Sequence, residues 1–141
     1  MNKEIKLEII IALLLLLFIY TGTGKLFNMQ AYKDALKVQP FPGWIYSLSL
    51  SLPFVEIIVA LGLVFKPVRA FALYSCLILM LLFTIYTGLV VFHFFKQTPC
   101  TCGGVIRFLS WPQHFLFNTF FLFINAWAIY IHRQQKIFMH K

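Results

Sequence analysis

Charge is what this sequence has least of. Of its 141 residues 11% are charged and 61% hydrophobic, whereas soluble domains carry about 25% charged residues. A soluble chain of this length has no interior large enough to hide so much apolar surface. That excludes a soluble globular domain and leaves lipid as the solvent, with residues 1–141 as one membrane domain. Acids are scarcest: Glu4, Glu8, Asp34 and Glu56 are the whole set. The resulting net charge of +8 would suit nucleic acid, but the 12 Lys and Arg residues are scattered over the gaps between apolar runs. That placement fits anchoring at lipid headgroups and argues against phosphate tracking, so no nucleic-acid partner is expected. Cysteine is also scarce, with Cys76, Cys100 and Cys102 only. About 25–30 Å of helix would separate Cys76 from the other two, while a disulfide needs Cα atoms within about 7 Å. Cys76 therefore reads as a small packing residue.

What the chain does have is four long apolar runs. They predict an all-α membrane protein with four transmembrane helices in an antiparallel bundle, spanning about 5–25, 44–65, 70–94 and 111–131. The first run, followed by Thr21-Gly22-Thr23-Gly24, imitates a secretory signal, but three more spans follow and a multi-span chain is the better frame. Between spans one and two, residues 28–38 form a short amphipathic segment. Met29, Tyr32 and Leu36 fall on one face and Lys33, Asp34 and Lys37 on the other, with Asn28 expected to cap its start and Pro40 and Pro42 to end it. It is too short and too charged to span, and is expected to lie on the outer surface as a lid on the bundle.

Polar residues inside the spans are costly and must face the bundle. Glu56 is the acid within an apolar run, one turn after Pro53, which should bend its helix. Lys25 is its natural partner. The alternatives are a snorkelling Lys25 and a neutral Glu56 bonded to a hydroxyl. Thr84, Thr87 and Gly88 thin one side of the third span, to which Tyr86 and His93 add polar groups. The fourth span opens with a capping-box pattern, Ser110 and Gln113, tolerates Pro112 in its first turn, and carries a polar stripe of His114, Asn118 and Asn125.

Orientation follows from the basic residues. The side with the termini carries Lys3, Lys6, Lys66, Arg69, Arg133, Lys136 and Lys141; the other carries Lys25, Lys33, Lys37, Lys96 and Arg107. The positive-inside tendency puts the termini in the cytoplasm and the 95–110 loop outside, where disulfides form.

That loop contains P-C-T-C-G-G at 99–104. A redox disulfide is the first reading. A C-x-C ring is small and strained, hence labile. Lys96, Arg107 and the nearby helix start favour thiolate, and Gly103 and Gly104 leave room for a partner's backbone. A metal site of Cys100, Cys102 and His114, with His93 as a further ligand, is the second, although no metal is expected because the spacing is unusual. A structural disulfide is the third.

Taken together, T-G-T-G-K-L-F at 21–27, A-Y-K-D-A-L at 31–36, L-P-F-V-E at 52–56 and P-C-T-C-G-G at 99–104 resemble the MauE/DoxX group of small four-helix membrane proteins. The resemblance covers essentially the whole chain. It implies a bacterial inner-membrane bundle associated with redox or disulfide chemistry, similar in layout to quinone-linked disulfide-forming proteins such as DsbB and vitamin K epoxide reductase. Those use C-x-x-C and a second cysteine pair; this chain has C-T-C and no second outer pair, so any exchange partner must bring its own thiols. The implied partner is a periplasmic thioredoxin-like protein.

The leading expectation is a membrane thiol–disulfide redox protein with Cys100 and Cys102 as the reacting pair, its standing as a quinone-linked oxidoreductase left open. A quinone is the cofactor considered, with His114, Asn118, Glu56 and Tyr86 lining its site or relaying protons. A bundle interior holding polar groups for purely structural reasons stands beside that reading. The alternatives are a non-enzymatic assembly or maturation subunit whose loop bridge is structural, and a small transporter or channel using Lys25 and Glu56.

Overall fold

The computed structural model describes residues 2–94 and 109–139. The described residues form helices α1 (Lys3–Phe27), α2 (Met29–Lys37), α3 (Gly43–Val64), α4 (Arg69–Val91) and α5 (Trp111–Met139), and contain no strand. All but α2 are long and apolar enough to cross a bilayer, which makes this a multi-pass membrane protein. The spanning helices form a four-helix bundle in the ring order α1, α3, α4, α5, with α2 resting on α3 and α1.

The bundle interior is mostly apolar, with Leu14, Phe18, Leu63 and Met80 fully buried, but it also encloses several polar side chains. Glu56, His114, Asn118 and Asn125 are buried, while Leu16, Ile58, Phe71 and Phe123 are exposed. Lipid tails do not drive helices together by a hydrophobic effect, so close packing through small residues must hold the bundle. Gly22 meets α3 so closely that a Cβ there would lie 2.9 Å from Ile57 and 3.0 Å from the Pro53 carbonyl oxygen. Gly88 likewise abuts the Phe115 ring of α5, and Gly62 abuts Ala72 beside the α3–α4 turn.

One end of the bundle is fastened by Arg69. Its Nε donates to the Leu63 carbonyl at the end of α3 (3.0 Å), and its Nη1 reaches Glu8 on α1 (2.7 Å). Three helix ends are thus tied by one guanidinium. At the other end the expected features hold with amendments. Asn28 does not cap α2 with its side chain; its amide donates back to the Gly24 carbonyl of α1 at 3.2 Å. The Gln113 half of the capping box is present, with the Ser110 N–H donating to Gln113 Oε1 at 2.9 Å. Helix α4 stops at Val91, where the span was expected to reach 94. His93 N–H donates to the Val90 carbonyl and Phe94 N–H to that of Leu89, with His93 at φ 58°. This is a Schellman turn with histidine in the left-handed position usually held by glycine. Helix α5 runs on past 131 to Met139.

Candidate functional site

Proline at position 53 has no N–H to give to the carbonyl four residues back, that of Ser49. The Tyr32 hydroxyl of α2 fills that place, donating to the Ser49 oxygen at 2.7 Å. The lid helix is thereby pinned over α3. Beneath it lies a cavity of about 480 Å³, walled by α1, α3, α4 and α5 and roofed by α2 and the segment after it. The lining is mostly apolar: Leu17, Phe18, Leu36, Leu52, Leu79 and Met80 contribute.

Its polar residues converge from different elements. Lys25 from α1 places its Nζ 2.5 Å from Glu56 Oε1 on α3, with side chains 12% and 0% exposed. The Lys25 ammonium also sits 4.9 Å from the centroid of the Phe83 ring. The second Glu56 oxygen is buried without a hydrogen-bond partner among the described residues. His114, at the start of α5, is hydrogen-bonded to the Leu109 backbone, leaving its buried Nε2 without a partner among the described residues. Asn118 lies one turn further along α5 in the same lining. Tyr86 closes the α4 side, its ring centroid 6.2 Å from that of Phe41. Thr87 also lines the cavity, but its hydroxyl is occupied by the Phe83 carbonyl at 2.9 Å.

Lys25, Glu56, Tyr86, His114 and Asn118, proposed from the sequence on separate grounds, therefore share one cavity. Asn125 does not line it; that side chain is fully buried further along α5, with neither amide atom partnered among the described residues. Cys100 and Cys102 lie outside the described residues, as do Lys96, Gly103, Gly104 and Arg107. The chain that carries them joins Phe94, just past α4, to Leu109, just before α5. Among the described residues no His, Cys, Asp and Glu side chains group as a metal site, and Cys76 is a buried free thiol.

Two residues that the sequence reading gave no role at the site matter here. Tyr32 is the lid's anchor. Gln39, just past α2, lines the cavity at 6% exposure with both side-chain polar atoms unpartnered among the described residues. Pro53 could have pointed to Tyr32 by requiring some donor for Ser49; nothing local marks Gln39.

The cavity opens sideways. Helices α3 and α4 are tight at Gly62 and Ala72, next to their connecting turn. Toward the lid, Leu48 of α3 and Leu82 and Ile85 of α4 line the cavity and are also among the exposed apolar residues. The gap between these two helices faces what would be lipid.

No curated protein and no solved structure matches the chain. The family described as methylamine utilisation protein MauE matches residues 3–131. With nearly its whole length covered, and with four helices able to span a membrane, the chain belongs to the MauE family.

Proposed function

We propose that the protein is a thiol–disulfide redox protein of the bacterial inner membrane, with its termini cytoplasmic. Cys100 and Cys102 would exchange with a periplasmic thioredoxin-like partner, and a quinone would occupy the cavity. The observation that carries the quinone part is the convergence of Glu56, Tyr86, His114 and Asn118 in one mostly apolar cavity, whose lining includes Leu89 near the end of α4 and His114 near the start of α5, the two helices that the cysteine-bearing segment joins.

The exchange balances by itself. One loop thiolate attacks the partner's disulfide; that S–S bond breaks and a mixed disulfide forms. The second loop thiolate closes the C-x-C ring and releases the partner as a dithiol, and the reverse sequence reduces the loop. Once a partner dithiol has reduced the loop, a bound quinone would supply the acceptor for the two electrons and two protons that the loop dithiol gives up on closing again.

The cavity residues fit a neutral headgroup with a long apolar tail. Lys25 is matched by Glu56, so the pair adds no net charge that would favour an acidic lipid head. With its other ring nitrogen engaged by the Leu109 backbone, His114 presents Nε2 to accept a proton when neutral or donate one when protonated. Tyr86 and Asn118 add polar groups for orientation, and the gap between α3 and α4 admits a tail from the bilayer.

Partner trapping tests the thiol chemistry. Of the Cys100→Ser and Cys102→Ser variants, the one lacking the resolving thiol should accumulate a mixed disulfide with a periplasmic protein, and the double variant none. Equal trapping in all three would end this reading. It would favour the second one, an assembly or maturation subunit in methylamine utilisation, the process for which the family is described.

A further inference from the structure

Gln39 is spent on nothing in the described protein. Its side-chain nitrogen and oxygen are both buried and unpartnered among the described residues, in a cavity where such groups cost about 1–3 kcal/mol each. Its backbone is held firmly: the N–H donates to the Leu36 carbonyl at 3.1 Å, and the carbonyl accepts from Phe41 at 2.8 Å. Two lid residues earlier in the chain, Leu36 and Ala35, share the cavity lining with it, and Tyr32 fixes the same helix to Ser49. The residue is therefore held at the cavity lining by a pinned element rather than left there by slack.

We infer that Gln39 is a headgroup-binding residue, and that the lid exists to present it to a carbonyl-bearing molecule entering from the bilayer between α3 and α4. This rests on the quinone reading and adds to it the residue on the roof. A primary amide suits both redox forms of such a headgroup. Its N–H donates to a quinone carbonyl, and its oxygen accepts from the hydroxyl that replaces that carbonyl on reduction. Glu56 of α3 and His114 of α5 line the same cavity, and each carries one further buried polar atom without a partner among the described residues. A flat headgroup with oxygens on opposite sides can thus be gripped from roof and walls together. The apolar gap takes the tail, so the lid need not open for entry.

The test uses the full chain in detergent micelles, with ubiquinone-1 as the probe and quenching of tryptophan fluorescence as the readout; Trp111 lies 5.8 Å, centroid to centroid, from the His114 ring. Palmitate serves as a competitor for a charged lipid head. Gln39→Leu, and Gln39→Met as a variant of closer shape, should each weaken ubiquinone-1 binding about tenfold, equivalent to about 1.4 kcal/mol. The same variants should melt at the wild-type temperature or above it, because an unpaired amide has left the interior. A binding residue gives this pair of results; a structural one does not. Lower melting in both variants, or unchanged affinity, overturns the assignment of Gln39 while leaving the quinone reading intact. Wild-type protein that ignores ubiquinone-1, or yields the site to palmitate at equal concentration, overturns both.

Discussion

The Tyr32 hydroxyl occupies the hydrogen-bonding place that Pro53 vacates, donating to the Ser49 carbonyl at 2.7 Å. A proline in a spanning helix leaves a carbonyl that lipid cannot satisfy, and a neighbouring side chain must do so. Here that side chain belongs to the lid, so one backbone defect positions both the roof of the cavity and, beyond it, Gln39.

Removing the hydroxyl should therefore loosen the lid. Tyr32→Phe is expected to lower unfolding stability by about 1 kcal/mol and to speed amide exchange across residues 29–37. In a Pro53→Ala background the restored helix N–H satisfies Ser49, and Tyr32→Phe should cost measurably less. A double-mutant cycle in mild detergent checks this; additive effects would show that the two residues are not coupled.

The Lys25–Glu56 pair should behave as a buried ion pair. Lys25→Met alone strands a fully buried carboxyl and is expected to cost about 3–5 kcal/mol. Adding Glu56→Leu should recover most of that loss. Thermal unfolding of the single and double variants measures it, and a double variant no better than Lys25→Met would show that the pair is not the issue.

Gly22→Ala should push α1 off α3. Its Cβ would come within 3.0 Å of a backbone oxygen, that of Pro53, which cannot swing aside, and overpacking of this kind costs about 1–3 kcal/mol. Gly43, whose Cβ would meet nothing within 4 Å, is the control, and its alanine variant should unfold with wild-type stability.

His93→Gly should raise stability slightly, by up to about 1 kcal/mol, since glycine accepts the left-handed conformation that histidine holds at φ 58° without a side-chain penalty. A loss of stability instead would mean the imidazole makes a contact worth more than the strain.

Much of this arrangement could be read from the chain before folding. The spans follow from hydropathy, a property of composition along a line. Glu56 was conspicuous as an acid in an apolar run, and Lys25 as the cation nearest in depth. His114 and Asn118 stood out because four residues return a helix to the same face. Asn125 shares that face but lies about 16 Å along the axis from His114, past the cavity, which periodicity alone does not reveal. The extension of α5 to Met139 was missed because hydropathy falls after Ile131 while Gln, Lys and Arg still favour helix. Gln39 was out of reach for a different reason: its burial depends on α2 folding back over α3, a tertiary event with no signature at position 39 itself.

The central claim, that the loop pair is a working redox couple served by the cavity, is met most directly by following the thiol state of Cys100 and Cys102 in membrane-embedded protein with a mass-shifting alkylating label. Reduced thioredoxin added on the periplasmic side should convert the pair from disulfide to dithiol, and ubiquinone-1 should return it to the disulfide in wild type but slowly in His114→Phe. A pair that stays in one state throughout, or that ubiquinone-1 reoxidises equally fast in both proteins, would contradict the account.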